Sequence, residues 1–200
     1  IGPSGVIAPV SCMTRALPHD LTNALAASAL VLETGLATVA DVAEALATFR
    51  HPPHRIEPLG TVRGVRWFND SKATSPHAAL TAIRGFERVV LLAGGLNKGL
   101  DLASLASEHA RIKAVVGLGT AARDVTEPFE GLCPTRVATS MAQAVDFASA
   151  LAEPGDVVLL SPACASFDWY PGGGYPARGD DFKQLVRALA ESSTNEETRT

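Results

Sequence analysis

Three stretches of this 200-residue sequence combine residue types that hold anions. The first is Asn69-Asp70-Ser71-Lys72-Ala73-Thr74-Ser75-Pro76, which sets a carboxylate, an ammonium and hydroxyls between a strand and a helix start. Helix N-termini attract anions through free N–H groups and the helix dipole. Any one of these polar residues alone reads as an Asx-turn, a cap or a solvated side chain; the eight together read as functional. The second is Gly94-Gly95-Leu96-Asn97-Lys98-Gly99. Its glycines let backbone N–H groups approach an anion, and its lysine supplies charge, although it does not fit the phosphate-loop pattern G-x-x-x-x-G-K-[ST]. The third is Ser161-Pro162-Ala163-Cys164-Ala165-Ser166-Phe167-Asp168, whose small residues permit tight backbone packing around a ligand.

Other patterns are weaker. Gly117-Leu118-Gly119-Thr120-Ala121-Ala122 fits the G-x-G-x-x-A turn of dinucleotide sites. The acidic partner expected about 20 residues later is missing, so the segment reads as a tight strand-to-helix turn. Cys164 has no base supplied by the sequence and reads as a packing residue. The five histidines show no metal spacing, and His54 and His77 read as surface or cap residues.

These loops need a scaffold. Leu21, Leu25, Ala29 and Leu32 recur at helical spacing within Asp20–Glu33, and Gly35 closes that helix. Thr38 with Asp41 opens a second helix in a capping-box variant, running to about Phe49. Pro52 and Pro53 break it into a linker. Residues 61–68 hold two β-like runs around Gly64. Ser75 and Pro76 open a helix. Apolar strands are expected at 88–93, 113–118, 135–138 and 156–160. Helices are expected at 103–110, after 118, at 141–151 and from Asp180 to about Ala190, with a frayed tail from Ser192. Strands alternating with helices of this length imply crossovers and a mostly parallel sheet, an α/β fold. Ligands of such sheets bind at the carboxyl ends of the strands, where the three loops fall.

Hydrophobic residues make up 46% and charged residues 19%, enough for a packed core. The net charge of −4, with no basic stripe, argues against a nucleic-acid partner. Three cysteines, Cys12, Cys133 and Cys164, cannot all pair within the chain, which favours a reducing, cytoplasmic setting. No apolar run is long enough for a membrane span. The first residue is Ile1, so upstream sequence is expected to be missing.

Read together, residues 16–190 resemble the Mur ligases. Pro18-His19-Asp20-Leu21-Thr22-Asn23-Ala24-Leu25 is similar to the helix closing that family's central ATPase domain. His54-Arg55-Ile56-Glu57 is similar to its hinge motif, and the first and third loops resemble its D-glutamate-adding branch. The resemblance implies a Rossmann-like, mostly parallel sheet flanked by helices at 53–192, preceded at 1–52 by a helical remnant of the ATPase domain, with a polar tail at 193–200. It implies an ATP-dependent amide ligase of peptidoglycan precursor synthesis, adding D-glutamate to UDP-N-acetylmuramoyl-L-alanine through an acyl phosphate, monomeric, with Mg²⁺ held by an upstream part. By the same resemblance Asn23 contacts adenine, Arg55 and Lys72 the phosphates, and Asp70 the ribose. Thr74 and Lys98 hold one glutamate carboxylate, and Ser166, Phe167 and Tyr175 frame the other. The family has Asn where Asp20 stands, and the stretch 169–177, with three glycines, is longer than the family's. The phosphate loop, magnesium carboxylate and modified lysine have no match, so these 200 residues alone are expected to be inactive. Two other readings stay open: a nicotinamide-dependent oxidoreductase domain on the Gly117 turn, and a non-catalytic relative that holds an acidic amino acid.

Overall fold

The computed structural model describes residues 5–197. It divides into two compact units, 1–51 and 52–200.

The first unit holds two helices. α1 (Pro18–Glu33) has proline at its start, where a missing N–H costs nothing. Asp20 accepts the Leu17 N–H there at 3.1 Å. Gly35 at φ 69° lets the chain leave α1, with the Leu36 N–H bonded to the Val31 carbonyl. α2 (Val39–Thr48) carries the expected reciprocal cap: the Asp41 N–H bonds Thr38 Oγ1 at 3.3 Å, and the Thr38 N–H bonds Asp41 Oδ2 at 2.8 Å.

The second unit is a six-stranded sheet in the order β1-β2-β6-β3-β4-β5. The strands are β1 (Glu57–Val62), β2 (Val65–Asn69), β3 (Val89–Gly94), β4 (Ile112–Leu118), β5 (Thr135–Val137) and β6 (Val157–Ala163). Only the β1–β2 pair is antiparallel; the rest are parallel. The turn between β1 and β2 uses Arg63 and Gly64 at φ 49° and 77°, the handedness a tight hairpin needs. Every residue of β3 and β6 is buried, as in a sheet covered on both faces. The helices are α3 (Pro76–Ile83), α4 (Ala122–Thr126), α5 (Met141–Leu151) and α6 (Gly174–Glu197). α5 and α6 pack together over Trp67, Val90, Leu92, Val116 and Val158. α3 and α4 meet the 3₁₀ segment Leu102–Arg111 on the other side.

The fold class is as expected, with four differences in detail. β1 starts at Glu57 and includes Pro58, which an edge strand with a bulge tolerates. The expected helix at 103–110 is a 3₁₀ segment kinked at Glu108. β6 runs past Leu160 to Ala163. α6 starts six residues before Asp180 and continues to Glu197, through the tail expected to fray. Ser192, Ser193 and Thr194 turn their hydroxyls back onto the carbonyls of Ala188, Leu189 and Ala190, within the helix itself. The last three tail residues lie outside the described residues.

At the start of β6, Asp156 is fully buried and gathers two cations. Arg88 Nε reaches Oδ1 at 2.6 Å; Lys113 Nζ and the Glu153 N–H reach Oδ2, both at 2.7 Å. Burial works against ionisation of Asp156, but Lys113, the Glu153 N–H and Arg88 outweigh it and hold its pKa below the ordinary value. A depressed folded pKa stabilises the fold above the unfolded carboxylate's pKa and ceases to as pH falls through the folded one. Asp156→Asn is therefore expected to cost about 2 kcal/mol at neutral pH. That difference should shrink as pH falls below about 4. Urea unfolding at both pH values checks this; an equal difference at both would contradict it.

Candidate functional site

The three loops leave neighbouring strand ends, and one side chain ties them together. Arg178, on the first turns of α6, is 2% exposed. Its Nε donates to Ser71 Oγ at 2.9 Å and its Nη2 to the Ser71 carbonyl at 2.8 Å, both in the first loop. Its Nη1 and Nη2 donate to the Cys164 carbonyl at 3.1 and 3.2 Å, in the third. The second loop is drawn in by Ala165, whose carbonyl accepts the Leu96 N–H at 2.8 Å. Gly95 must be glycine: a Cβ there would stand 2.2 Å from that carbonyl and 3.2 Å from Arg178 Nη1. Ser71 Oγ in turn donates to the Tyr175 carbonyl at 2.8 Å. Burial lowers the Arg178 pKa to about 10, so it keeps its charge at neutral pH.

The first loop has a second anchor. Asn69 is fully buried; its Oδ1 accepts the Ser71 N–H at 3.1 Å, and its Nδ2 donates to the Gly179 carbonyl at 3.1 Å and to His54 Nδ1 at 3.0 Å. Asp70, 5% exposed, accepts the Ile56 N–H on one oxygen and Ser161 Oγ on the other, at 3.1 and 2.8 Å. A ribose would have to use the lone pairs these bonds leave. His54 is not a surface residue: it is 8% exposed, at φ 62°, and packs so tightly on Gly179 that a Cβ there would meet His54 Nδ1 at 2.2 Å. Lys72 is half-buried, with its N–H on the His54 carbonyl at 3.0 Å. Arg55 is exposed, as is His77. Asn23 is exposed on α1 of the first unit.

Between these loops and the start of α6 lies a cavity of about 530 Å³. Thr74, Lys98, Ser166, Phe167 and Tyr175, singled out from four separate stretches of sequence, all line it. Gly172, Gly173 and Gly174 form a further wall. Lys98 and Thr74 are exposed, whereas Ser166 is 2% exposed and its Oγ has no hydrogen-bond partner among the described residues. An unpaired buried hydroxyl is costly, and its residue is one of those that line the cavity. The glycine wall is pinned by Tyr170, whose N–H bonds the Ser166 carbonyl at 2.8 Å and whose hydroxyl donates to Asp181 at 2.5 Å. Burial, with Asp181 beside it, pushes the Tyr170 pKa well up, so its phenol stays protonated.

The Gly117–Ala122 turn belongs to the protein's own packing. Asp168 Oδ2 accepts the Thr120 N–H at 2.9 Å, and a Cβ on Gly119 would stand 2.0 Å from that oxygen. The carboxylate takes an N–H that an anion at this turn would need, which counts against the nicotinamide reading. Cys164 is fully buried, and burial raises its thiol to about 11, which leaves it a packing residue. Among the described residues no group of three His, Cys, Asp or Glu could hold a metal, and no helix is long and apolar enough to cross a membrane. In the first unit Asp20 grips Arg15, both contacts at 2.7 Å. That bidentate pairing uses the carboxylate that stands where the resembling family has an amide.

Sequence reasoning missed Arg178, Asn69 as an anchor and Asp168 as a cap. Arg178 lies 107 positions from Ser71, and no local pattern marks it. The one available signal was an arginine inside the Gly-rich stretch next to the third loop.

Arg178→Lys is expected to cost about 3 kcal/mol or more. One ammonium cannot replace a fork that bonds two carbonyls and a hydroxyl, and each buried group left unpaired costs about 1–3 kcal/mol. Wild-type stability of the variant in urea would refute the keystone role.

Residues 54–164 match the family described as Mur ligase, glutamate ligase domain. The chain is 42% identical over 172 residues to the UDP-N-acetylmuramoylalanine--D-glutamate ligase of Chlamydia caviae, covering 84% of this chain and 40% of that protein. It thus spans about 40% of the length of the curated relatives it matches. Among solved structures it is similar to the UDP-N-acetylmuramate-alanine ligase MurC of Thermotoga maritima, with TM-score 0.64, 16% identity, and 88% of this chain and 39% of that one covered. MurF ligase of the same organism, solved in complex with ADP, aligns with TM-score 0.59, 17% identity, and 84% and 38% covered.

Proposed function

This chain belongs to the Mur ligase family, and we propose that it is the C-terminal part of a cytoplasmic, monomeric enzyme that adds D-glutamate to UDP-N-acetylmuramoyl-L-alanine at the expense of ATP. In that reaction ATP phosphorylates the sugar-peptide carboxylate. The D-glutamate amine then attacks the acyl phosphate, giving an amide, ADP and phosphate. Mg²⁺, held by an upstream part of the enzyme, would neutralise charge on the phosphates. Residues 53–192 are the amino-acid-binding domain in this reading, and residues 1–52 the end of the ATP-binding domain.

What carries the reading is the convergence of Thr74, Lys98, Ser166, Phe167 and Tyr175 on one cavity, with the unpaired Ser166 hydroxyl among them. Glutamate carries two carboxylates, so a selective site needs two anion holders. Lys98 with Thr74 forms one; Ser166 and the backbone around Phe167 form the other, framed by Tyr175. Lys72 and Arg55 answer the nucleotide phosphates, Asp70 the ribose and Asn23 the adenine. The grip of Asp20 on Arg15 makes Asp20 a support for α1 rather than a second adenine contact. A non-catalytic relative holding an acidic amino acid would use the same cavity; ligase turnover by the chain joined to its upstream part separates the two.

The 200 residues alone should release no phosphate from ATP above a buffer blank, because phosphoryl transfer depends on positioned phosphates and metal. In the chain joined to its upstream part, Lys98→Ala should lower kcat/KM for D-glutamate roughly tenfold or more, since a charged hydrogen bond is worth about 1.5–3 kcal/mol. Lys98→Arg should restore it only in part, because a planar fork does not fill the place of a compact ammonium. Unchanged kcat/KM in Lys98→Ala would remove Lys98 from the site.

A further inference from the structure

The chain has four lysines, Lys72, Lys98, Lys113 and Lys183, and they are held in two different ways. Lys113 pairs with Asp156 and Glu153, and Lys183 pairs with Glu57. Lys98 Nζ instead lies 5.4 Å from the centroid of the Phe167 ring, and Lys72 Nζ 5.7 Å from that of Tyr175. Among the described residues neither makes an ion pair. Both distances fall within the range where a ring's quadrupole attracts an ammonium.

The difference has a physical consequence. A carboxylate fixes a lysine and cancels its charge. An aromatic face restrains the flexible four-carbon stem while leaving the charge for a ligand. Each ring has neighbours of its own, although Phe167 is 49% exposed. The Tyr175 carbonyl accepts Ser71 Oγ at 2.8 Å, and its ring meets His54 edge-on at 6.1 Å. Phe167 rests against Gly174, where a Cβ at φ 58° would stand 3.5 Å from its ring. Arg178 fixes the loops that carry both rings' supports.

We propose that Phe167 and Tyr175 are positioning residues: each holds one ammonium ready, un-neutralised, for an anion, Lys98 for a carboxylate of an acidic amino acid and Lys72 for a nucleotide phosphate. The assignment of ligands rests on the ligase reading above; the ring contacts do not. The selectivity of the cavity then depends on side chains that touch the lysines as well as on those that touch the ligand.

Proton and carbon NMR of lysine-labelled 200-residue chain tests the contacts directly. The ε protons of Lys98 and Lys72 should lie upfield of those of Lys113 and Lys183, shielded by the ring faces. Phe167→Leu should abolish the Lys98 displacement alone, and Tyr175→Leu the Lys72 displacement alone. Phe167→Tyr and Tyr175→Phe, which keep the rings, should preserve both. No displacement in the wild type, or one indifferent to Phe167→Leu, overturns the proposal. In the chain joined to its upstream part, Phe167→Leu should raise KM for D-glutamate roughly two- to fivefold with a smaller change in kcat, and Phe167→Tyr should restore it. An unchanged KM beside a lost displacement overturns the positioning role. Intact displacements in an enzyme with no D-glutamate-dependent turnover would leave the ring contacts standing and overturn the ligase reading instead.

Discussion

The candidate site depends on a buried positive charge that, among the described residues, is hydrogen-bonded to no carboxylate. Arg178 is surrounded by neutral oxygens: two carbonyls at close range, a third at 3.4 Å, and the Ser71 hydroxyl. Taking a guanidinium out of water is costly, and only a full set of hydrogen bonds offsets that cost. The loops must therefore present their carbonyls inward, towards the base of α6. Of their remaining polar side chains, Ser166 and Lys98 line the cavity, and the Lys72 ammonium lies over the Tyr175 ring. Glycine at 95 follows from the same packing, since the backbone has to pass between Arg178 and Ala165.

This arrangement separates structural charges from available ones. Asp70, Asp168 and Asp156 are spent on backbone N–H groups, a hydroxyl or paired cations. Among the described residues Lys98, at the cavity, and Lys72 make no ion pair and lie over aromatic faces. A chain with net charge −4 can thus present a locally positive pocket. The acidic groups that would compete with an anionic ligand are turned elsewhere, Asp168 into the Gly119 turn and Asp181 onto Tyr170.

Much of this was legible in the sequence where the signal is local. The Thr38–Asp41 cap, Gly35 at the end of α1, and Ser75-Pro76 at the start of α3 each follow from side-chain chemistry within four residues. The continuous apolar runs gave the parallel strands because both sheet faces are covered. Thr74, Lys98, Ser166 and Phe167 sit in long motifs at strand ends, whereas Tyr175 was marked by the family resemblance alone. What stayed hidden depends on distance along the chain. Arg178 and Asn69 act across 107 and 110 positions, and His54 looks polar and exposed until Gly179 closes over it. The early start of α6 was masked by three glycines, which read as loop although Gly174 begins the helix. The short 3₁₀ segment at 102–111 keeps a helical apolar pattern that periodicity alone cannot tell from an α-helix.

The central claim is that the cavity lined by Thr74, Lys98 and Ser166 receives the two carboxylates of an acidic amino acid. A crystal structure of the chain joined to its upstream part, grown with D-glutamate and ADP, tests it most directly. The account predicts one carboxylate within hydrogen-bond reach of Lys98 Nζ and Thr74 Oγ1, and the other on Ser166 Oγ. D-glutamate bound elsewhere, with Ser166 Oγ still unpaired, would contradict it.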